Sequence, residues 1–450
     1  MNVDHLLQLQ QPLKEGGIRS VNFFNGRLLT SKDLSREQLA RRQWDQRLGQ
    51  AIGDGVAYGL EAARDVDLDT ASAPVLRVKA GLAVNRAGQT LALSVDTSVA
   101  LTRRFDGATS GACDCVFANC NPLSDGTYVM GAGIYLLTIA PAQMSEGRAP
   151  TNGLDPTKVR CSTDVTVDGL QFRLLSINPL RYIDLDLGSL QFRNRLVYRC
   201  FGVEARDQAM IDPWRSDPPS YGLIDELRDM GLSDCDVPLA LVYWTGAGLQ
   251  FVDMWAARRK LITPDALSGY AFQRPPLVAD DLSSFAFQAR ARRLVEAHAM
   301  CAQFQQHLGD LLAADPSPAS TAARTHFRHL PPFGIVPLQS VPLRGFSDAA
   351  FFAGMVRRPV AGSNQSTPFI DARLLGVLQE QALAHSPIDL TQGEFVRVYR
   401  PWQNVQAALA GASVQTSLVF AGGLSPELAV ARFDMARADF SNFANCCSGS

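Results

Sequence analysis

Apolar and polar residues near the start of the chain alternate in a way that predicts a strand, a tight turn and a capped helix. Val21–Phe24 is a short apolar run of strand-favouring residues, and the Asn25-Gly26 dipeptide after it accepts the backbone angles of a tight turn. A helix should follow at once. The hydroxyl of Thr30 or Ser31 is expected to cap it, because a hydroxyl there accepts from the free amides of the first turn.

The predicted helix carries an apolar stripe at roughly helical spacing. The stripe consists of Leu34, Trp44, Leu48 and Ile52, and the basic residues off it are Arg36, Arg41, Arg42 and Arg47. Asp33 lies in the first turn, where the helix dipole favours a carboxylate. Gly53 and Gly55 should end the helix, since glycine leaves the right-handed region at little cost.

Further along the chain, shorter periodicities predict strands and longer ones predict helices. The predicted strands are Val75–Val78, Leu82–Val84, Thr90–Leu93, Tyr128–Ile139, Phe172–Leu175, Glu394–Tyr399 and a hairpin of Val237–Trp244 with Leu249–Asp253. Ser145–Asp155 has the composition of a surface loop. Helices are expected within Leu185–Gln208, at Ser283–Asp315 and at Asp371–Ala384. The long helix at Ser283–Asp315 is expected to pack along one face only.

These elements predict an α+β, multi-domain chain. Its 450 residues suffice for about three domains with substantial cores. We predict an N-terminal helix plus β-meander module at 1–110, a β-rich middle domain with a Cys loop at 111–265, a linker and long helix at 266–323, and a C-terminal α+β domain at 324–450.

Composition excludes several classes of protein. Hydrophobic residues make up 46% and charged residues 19%, which are ordinary globular values. A net charge of −2 argues against a nucleic-acid-binding protein, which normally has a strongly basic domain. The longest apolar run, Val129–Ala140, falls short of the roughly 20 residues of a spanning helix, and the N-terminus lacks the features of a secretory signal. We therefore expect synthesis in the cytoplasm, with no membrane anchor.

Nine cysteines leave three chemical states open. Cys113, Cys115 and Cys120 share one short loop, and Cys161 follows later, so four thiolates could surround a zinc ion tetrahedrally. The spacing is poor, because the single residue between Cys113 and Cys115 strains a shared tetrahedron. A disulfide formed after release from the cell and free thiols are the alternatives. Zinc is the one cofactor that the sequence brings into consideration.

Other groups of ionisable residues are weak evidence of a metal or catalytic site. His326 and His329 have a spacing that metal sites use on a helix, but Pro331-Pro332 argues against a helix, and ordinary hydrogen-bonded histidines are favoured. Carboxylate pairs at Asp184, Asp186, Asp280 and Asp281 are commonplace on loops and strands. The sequence holds no phosphate loop, no Gly-x-Ser-x-Gly elbow and no His-Glu-x-x-His motif. We assign no catalytic or cofactor-binding residue.

Two basic clusters are candidate interfaces. They are Arg41 with Arg42 and Arg258 with Arg259. Arginine is over-represented where subunits meet, although such clusters are more often a solvated face.

One residue string resembles a known family. The matching positions, which we treat as the fold-defining motif, are Phe23, Phe24, Asn25, Gly26, Arg27, Thr30, Asp33, Gln38, Gly59 and Leu60. They are similar to the N-terminal motif of structural proteins encoded in gene clusters of extracellular contractile injection systems, which are phage-tail-like particles. Where the family usually has Gly-Trp-Gly-Val-Val, this chain has Gly53-Asp54-Gly55-Val56-Ala57. Weaker similarities extend to Val237–Ala240, His329–Gly334 and Pro387–Leu390.

The resemblance implies a non-enzymatic structural subunit of the particle: a baseplate, cage, collar or fibre-attachment component. Its implied partners are baseplate, tube, sheath or fibre proteins, with a symmetric homo-oligomer in the assembly and no nucleic acid. The particle would be assembled in the cytoplasm or released by lysis. Two alternatives stay open. One is a glycan or cell-surface binding module with exposed aromatics such as Tyr243 and Trp244, and the other is a particle-borne cell-wall hydrolase using the aspartates named above.

Overall fold

The computed structural model describes twelve stretches of the chain: residues 16–101, 131–147, 164–181, 185–201, 222–261, 280–314, 322–337, 348–353, 369–383, 387–391, 395–402 and 417–423. Within 280–294 and 369–374 it describes the backbone alone. The α-helices are α1 (Ser31–Ile52), α2 (Phe192–Cys200), α3 (Leu223–Glu226), α4 (Asp280–Ala314), α5 (Ala323–His326), α6 (Asp348–Phe351) and α7 (Ala372–Leu383).

The strands of the N-terminal and middle parts are β1 (Gly55–Gly59), β2 (Ala62–Arg64), β3 (Val75–Val78), β4 (Gly81–Val84), β5 (Thr90–Leu93), β6 (Thr97–Ala100), β7 (Gly133–Glu146), β8 (Val165–Ile177), β9 (Val237–Thr245) and β10 (Gly248–Asp253). Those of the C-terminal part are β11 (His329–Leu330), β12 (Phe333–Pro337), β13 (Phe369–Asp371), β14 (Ile388–Asp389), β15 (Phe395–Trp402) and β16 (Ser417–Gly423). Helices and mostly antiparallel sheets occur in separate stretches, which confirms the α+β class.

The N-terminal part contains two small antiparallel sheets, ordered β1-β4-β5 and β2-β3-β6. The predicted strands Val75–Val78 and Thr90–Leu93 have those bounds in the structure. A close approach joins β1 to β4: a Cβ on Gly59 would lie 2.0 Å from the carbonyl oxygen of Ala80. Leu60, the next residue, is fully buried and has a positive φ of 56°. The Gly59-Leu60 pair of the motif therefore fixes the backbone of this sheet.

The middle sheet, ordered β10-β9-β7-β8, has a core on each face. Leu136 and Leu241 point into a cluster that includes residues of α2, α3 and α4. Their neighbours Leu137 and Val242 point to the other side, into a cluster shared with the small N-terminal sheets. Adjacent residues of a strand face opposite sides of a sheet, so buried strands with this pattern form the centre of a layered structure. This second cluster contains residues from both sides of residue 110. It does not decide where one domain ends and the next begins, and the predicted boundary at residue 110 stays a prediction.

The long helix packs on more than one face, contrary to the expectation from its sequence. Ala299 and Met300 belong to the cluster on the middle sheet, whereas Phe304 and Leu308 belong to a cluster of the C-terminal part. Ala297 contributes to a third cluster, with residues of α7 and of the C-terminal sheet. That sheet is ordered β12-β16-β15-β13. The helix is therefore shared between the middle and C-terminal parts, which is why a single buried face does not describe it.

A buried polar network joins the middle sheet to this helix. Arg193 of α2 donates from Nε to a carboxylate oxygen of Asp253, at 3.0 Å, and from a terminal nitrogen to Asp310 of α4, at 2.7 Å. Asp253 is fully buried and also accepts from the amide of Gln303, at 2.9 Å, and from the backbone N–H of Ala256, at 3.1 Å. Buried charges are stable when they are paired and hydrogen-bonded in this way.

In the described ranges, no helix combines the length and the apolar content that crossing a bilayer requires.

Candidate subunit-contact surface

The segment before α1 forms a loop held by Arg27. The turn at Asn25-Gly26 closes with a hydrogen bond from the N–H of Arg27 to the carbonyl of Phe24, at 3.2 Å, and Gly26 has a φ of 89°. The Arg27 guanidinium donates to the carbonyl of Asn22, at 2.7 Å, and to the carboxylate of Asp33, at 2.6 Å. The predicted tight turn is thus present, and Arg27 ties it to the helix.

Two residues were candidates to cap α1, and Thr30 is the one that does so. Its hydroxyl accepts from the N–H of Asp33, at 3.3 Å, while the Asp33 carboxylate accepts from the N–H and hydroxyl of Thr30, at 3.1 and 2.7 Å. This reciprocal pair is a capping box. The hydrogen bonds from Thr30, followed by those from Arg27, hold the pKa of Asp33 below its ordinary value. Gly53 ends the helix with a φ of 105°, as predicted.

The prediction of a strand at Val21–Phe24 is wrong. The segment lies in no described strand, and its backbone is used differently: the N–H of Val21 donates to Glu37 of α1, at 3.3 Å. Val21 is buried, but Phe23 and Phe24 are 52% and 63% exposed. Strand propensity is realised only where a neighbouring strand supplies the ladder, and here the neighbour is a helix.

The apolar stripe of α1 faces outward. The helix buries only Ala40 and Gly49, and every large apolar side chain on it is between 44% and 63% exposed. These exposed side chains are Leu34, Leu39, Trp44, Leu48 and Ile52. An amphipathic helix normally turns its apolar stripe toward its own core. We call Leu34, Trp44, Leu48 and Ile52 the α1 stripe.

Glycine contacts anchor the C-terminal half of the helix. A Cβ on Gly49 would lie 2.1 Å from the carbonyl oxygen of Gly88, in the turn between β4 and β5, and a Cβ on Gly88 would lie 2.0 Å from the carbonyl oxygen of Gln46. The amide of Gln50 donates to the carbonyl of Ala87, at 3.5 Å. The helix therefore rests on the meander through small residues and backbone, which leaves its large apolar side chains free.

The two basic clusters have different surroundings. Arg41 and Arg42 are exposed on α1, and their ion pairs are long: 3.8 Å to Glu37 and 3.9 Å to Asp168. Arg258 is only 3% exposed, and its guanidinium donates to the carbonyl of Gly59, at 2.6 Å. Arg259 lies over the Phe201 ring, 4.7 Å from its centroid, and donates to backbone carbonyls. Arg258 is therefore used inside the fold, whereas an interface role for Arg41, Arg42 and the partly exposed Arg259 stays a prediction.

The cysteines of the zinc hypothesis (Cys113, Cys115, Cys120 and Cys161) lie outside the described residues, so zinc stays untested there. In the part that the structure does describe, no group of three or more His, Cys, Asp or Glu residues could hold a metal ion. Cys200 and Cys301 are free thiols. Burial raises the pKa of each to about 12, which makes both unreactive as nucleophiles at neutral pH.

Of the carboxylates considered for hydrolysis, Asp186 is the one whose side chain the structure describes. Asp186 caps a local turn by accepting from the N–H of Gly188, at 2.9 Å. Asp184 lies outside the described residues, as do the side chains of Asp280 and Asp281.

His326 and His329 do not share a helical face. His326 ends the short helix α5, and His329 pairs with Asp389 in the β11-β14 ladder. The ring of His329 stacks on Tyr198, with centroids 5.0 Å apart. Burial lowers the pKa of His326.

Tyr243 and Trp244 form no shared aromatic platform. Tyr243 packs against Phe192 and Phe251, with ring centroids 5.3 and 5.6 Å away. Trp244 packs against the core on the opposite face of the sheet. Both side chains are partly buried, so they contribute to two different cores instead of to one glycan-binding surface.

A small charged cavity lies where the meander, α3, the start of β9 and the segment after β10 meet. It measures about 60 Å³, and Asp54, Arg86, Arg228 and Lys260 are among its lining residues. Arg86 is paired with Asp54, at 3.3 Å, and with Asp225, at 3.1 Å. Small-molecule sites usually measure about 300–1,000 Å³. A space of this size holds a few water molecules.

Comparisons with known proteins give no more than weak structural similarity. No protein-family model matches the chain. No curated protein matches it either. Among solved structures, the crystal structure of TssK is similar over 68% of this chain and 61% of that chain, with 10% sequence identity and a TM-score of 0.23. The chain spans less than two thirds of that structure's length, and at this TM-score the similarity carries no argument about function.

Proposed function

We propose that this chain is a non-enzymatic structural subunit of a contractile, phage-tail-like injection particle. It acts through contacts to other subunits, in the baseplate or in a cage, collar or fibre attachment. The observation that carries the proposal is the outward α1 stripe beside the exposed Phe23 and Phe24. Large apolar patches on a soluble protein mark surfaces that bind other macromolecules. The particle setting is supported by the sequence motif in which this surface lies.

The construction of the surface supports the same function. The loop that displays Phe23 and Phe24 is fixed by Arg27, and the helix that displays the stripe is capped by Thr30 and Asp33. A surface that is ordered before binding loses less conformational entropy when a partner covers it. The partners would be baseplate, tube, sheath or fibre proteins, and the assembled particle would lie in the cytoplasm or be released by lysis.

The proposal is tested by following the chain into particles. A tagged chain expressed in the cells that encode it should co-sediment with particles that contain sheath and tube proteins, identified by mass spectrometry. Trp44→Glu with Leu48→Glu should abolish incorporation, because two carboxylates would be buried against the partner. Leu180→Glu is the matched control, since Leu180 is 87% exposed and lies outside this surface. Wild-type chain that never sediments with particles would contradict the proposal.

A further inference from the structure

The residues just before the α1 loop run back along the helix. At one end of residues 16–21, the N–H of Val21 donates to the Glu37 carboxylate, at 3.3 Å. At the other end, the Arg47 guanidinium donates to the carbonyl of Gly16, at 2.5 Å. Five extended residues span about 17 Å, and the ten helical residues between the two anchors span about 15 Å. The two lengths agree, so residues 16–21, which we call the strap, run antiparallel to α1.

The strap lies beside the α1 stripe. Its two anchors on the helix share a face with Ala40 and Trp44, because all four residues follow one another at steps of three and four. Ala40, between the anchors, is 3% exposed, and Val21 of the strap is 7% exposed. Trp44 lies on the same face, belongs to the stripe and is 62% exposed. The side of the helix next to the exposed stripe is therefore already followed by the protein's own chain.

The strap begins at the level of the C-terminal half of the stripe. Arg47 holds Gly16 at its own level of the helix. From that level, Leu48 and Ile52 lie about 2 and 8 Å further along the axis, and Trp44 lies about 5 Å back. Gly16 has a φ of 70°, in the left-handed region that glycine adopts where a chain turns. The residues that precede Gly16 thus start beside these three apolar side chains.

The sequence of residues 1–15 suits an apolar surface. None of residues 6–13 is charged, and this stretch holds four leucines: Leu6, Leu7, Leu9 and Leu13. An uncharged segment can pack on the stripe without taking a charge out of water. Leu13 and Leu9 lie three and seven residues before Gly16, so an extended chain carries them up to about 10 and 23 Å from it. Both can reach the C-terminal half of the stripe.

We propose that residues 1–15 continue the strap and cover Trp44, Leu48 and Ile52 of their own helix until a partner subunit takes their place. The inference rests on the proposed function, because it names what protects the contact surface before assembly. A large apolar patch left open on a free subunit is prone to aggregation. A covering segment of the same chain has an effective concentration on the order of millimolar at the stripe, so weak contacts suffice. Weak contacts also allow a partner with a larger interface to displace it.

Limited proteolysis of the full-length chain with trypsin tests the cover, because trypsin cleaves after Lys14. Leu9→Glu should speed this cleavage at least about tenfold, since the covered state would bury a carboxylate and cleavage follows the population of the open state. Trp44→Glu with Leu48→Glu should speed it similarly, by changing the other side of the same contact. Gln10→Glu is the matched control: it adds the same charge to the same uncharged stretch without removing a leucine, and it should be cleaved as the wild type is.

Mass spectrometry of the fragments over time gives the cleavage rates, and cleavage after Arg36 reports whether α1 stays folded. The proposal is overturned if the wild type is cleaved after Lys14 as fast as Leu9→Glu, or if the stripe variant shows no acceleration. Protection that increases with the concentration of the chain would also overturn it, because a second copy would then supply the cover. If α1 of the stripe variant unfolds, Leu9→Glu decides alone, since its change lies outside the helix.

Incorporation into particles separates this inference from the proposed function. Leu9→Glu should co-sediment with particles at least as well as the wild type, because the partner then has less to displace. Exclusion of Leu9→Glu from particles would contradict displacement by a partner. Faster cleavage of the Trp44→Glu, Leu48→Glu chain together with normal incorporation would contradict the proposed function and support the cover.

Discussion

The buried network around Arg193 gives the sharpest test of how the parts of the chain are held together. Arg193→Met removes the guanidinium and keeps much of the apolar stem. Asp253 would then keep its charge at full burial, and its remaining hydrogen-bond donors among the described residues are the Gln303 amide and the N–H of Ala256. Removing one partner of a buried ion pair costs about 3–5 kcal/mol, because the remaining charge is uncompensated.

This cost translates into a measurable rate of hydrogen exchange. Since about 1.4 kcal/mol corresponds to a factor of ten, amides of β10, α2 and the C-terminal half of α4 should exchange between about a hundredfold and a few thousandfold faster, up to the limit set by other opening motions. The measurement is hydrogen exchange of the native protein followed by mass spectrometry of these peptides. Arg77→Met is the matched control. Arg77 is 52% exposed and 3.7 Å from Asp96, and exposed pairs contribute at most about 1 kcal/mol.

A second substitution separates lost charge pairing from lost packing. Adding Asp253→Asn to Arg193→Met removes the uncompensated charge. Gln303 Oε1 is buried without a hydrogen-bond partner, so after an amide flip it could accept from the new amide at position 253. Exchange should therefore slow again by about tenfold or more. The reasoning is refuted if Arg193→Met exchanges no faster than the Arg77 control, or if the second change gives no recovery.

Three further predictions concern stability and reactivity. Gly49→Ala should destabilise α1 and expose it to limited proteolysis, because its Cβ would collide with the turn carbonyl, whereas Gly309→Ala in α4 meets nothing within 4 Å and should stabilise by about 1 kcal/mol. Burial, followed by nearby positive charge, lowers the pKa of His307 well below its ordinary value. As the pH is lowered, the unfolded chain therefore takes up this proton before the folded chain does. Chemical denaturation should show that the free energy of unfolding decreases as the pH falls below about 6.5, by up to about 1.4 kcal/mol per pH unit. The decrease should be less steep in His307→Gln. Cys200 and Cys301 should resist iodoacetamide at pH 8 until denaturant is added, as mass spectrometry of the alkylated peptides would show; modification of the native protein would contradict their burial.

Local chemistry made part of the fold predictable. The capping residue Thr30 and the helix-ending Gly53 follow from the hydrogen-bonding needs of any helix end, and both are present. The hairpin of β9 and β10 follows from alternation around a glycine-bearing turn. Each feature is decided within a few residues. No knowledge of distant contacts is needed for it.

Features decided by distant neighbours were missed. The sequence predicted that a loop begins at Ser145, but β7 continues to Glu146 because β8 supplies a ladder along its whole length. Pro141 lowers the strand propensity of this stretch, yet its partner across the ladder, Leu170, packs into a core and holds the pair in place. The long helix likewise has contacts on several faces, which depend on how many elements surround it and not on its own periodicity.

The α1 stripe shows why periodicity alone could not locate the contact surface. A row of large apolar residues at helical spacing has the same appearance whether it faces the core or the outside. The clue was the small residue Gly49, since the side of a helix that carries glycine can approach another backbone closely, as it does at Gly88. Recognising that close approach from sequence alone would require knowing that the turn at Gly88 lies beneath the helix.

The energy available from the stripe limits how strongly the proposed subunit contact can bind. Full burial of a large apolar side chain contributes about 1.5–3 kcal/mol. Because Leu34, Trp44, Leu48 and Ile52 are about half exposed, covering them would release about 3–6 kcal/mol in total. Ordering losses on association consume much of that amount, so one such contact gives weak binding. Several contacts made at once raise the effective concentration of each, and the stripe should therefore be occupied in an assembled particle far more completely than in a dilute solution of the chain.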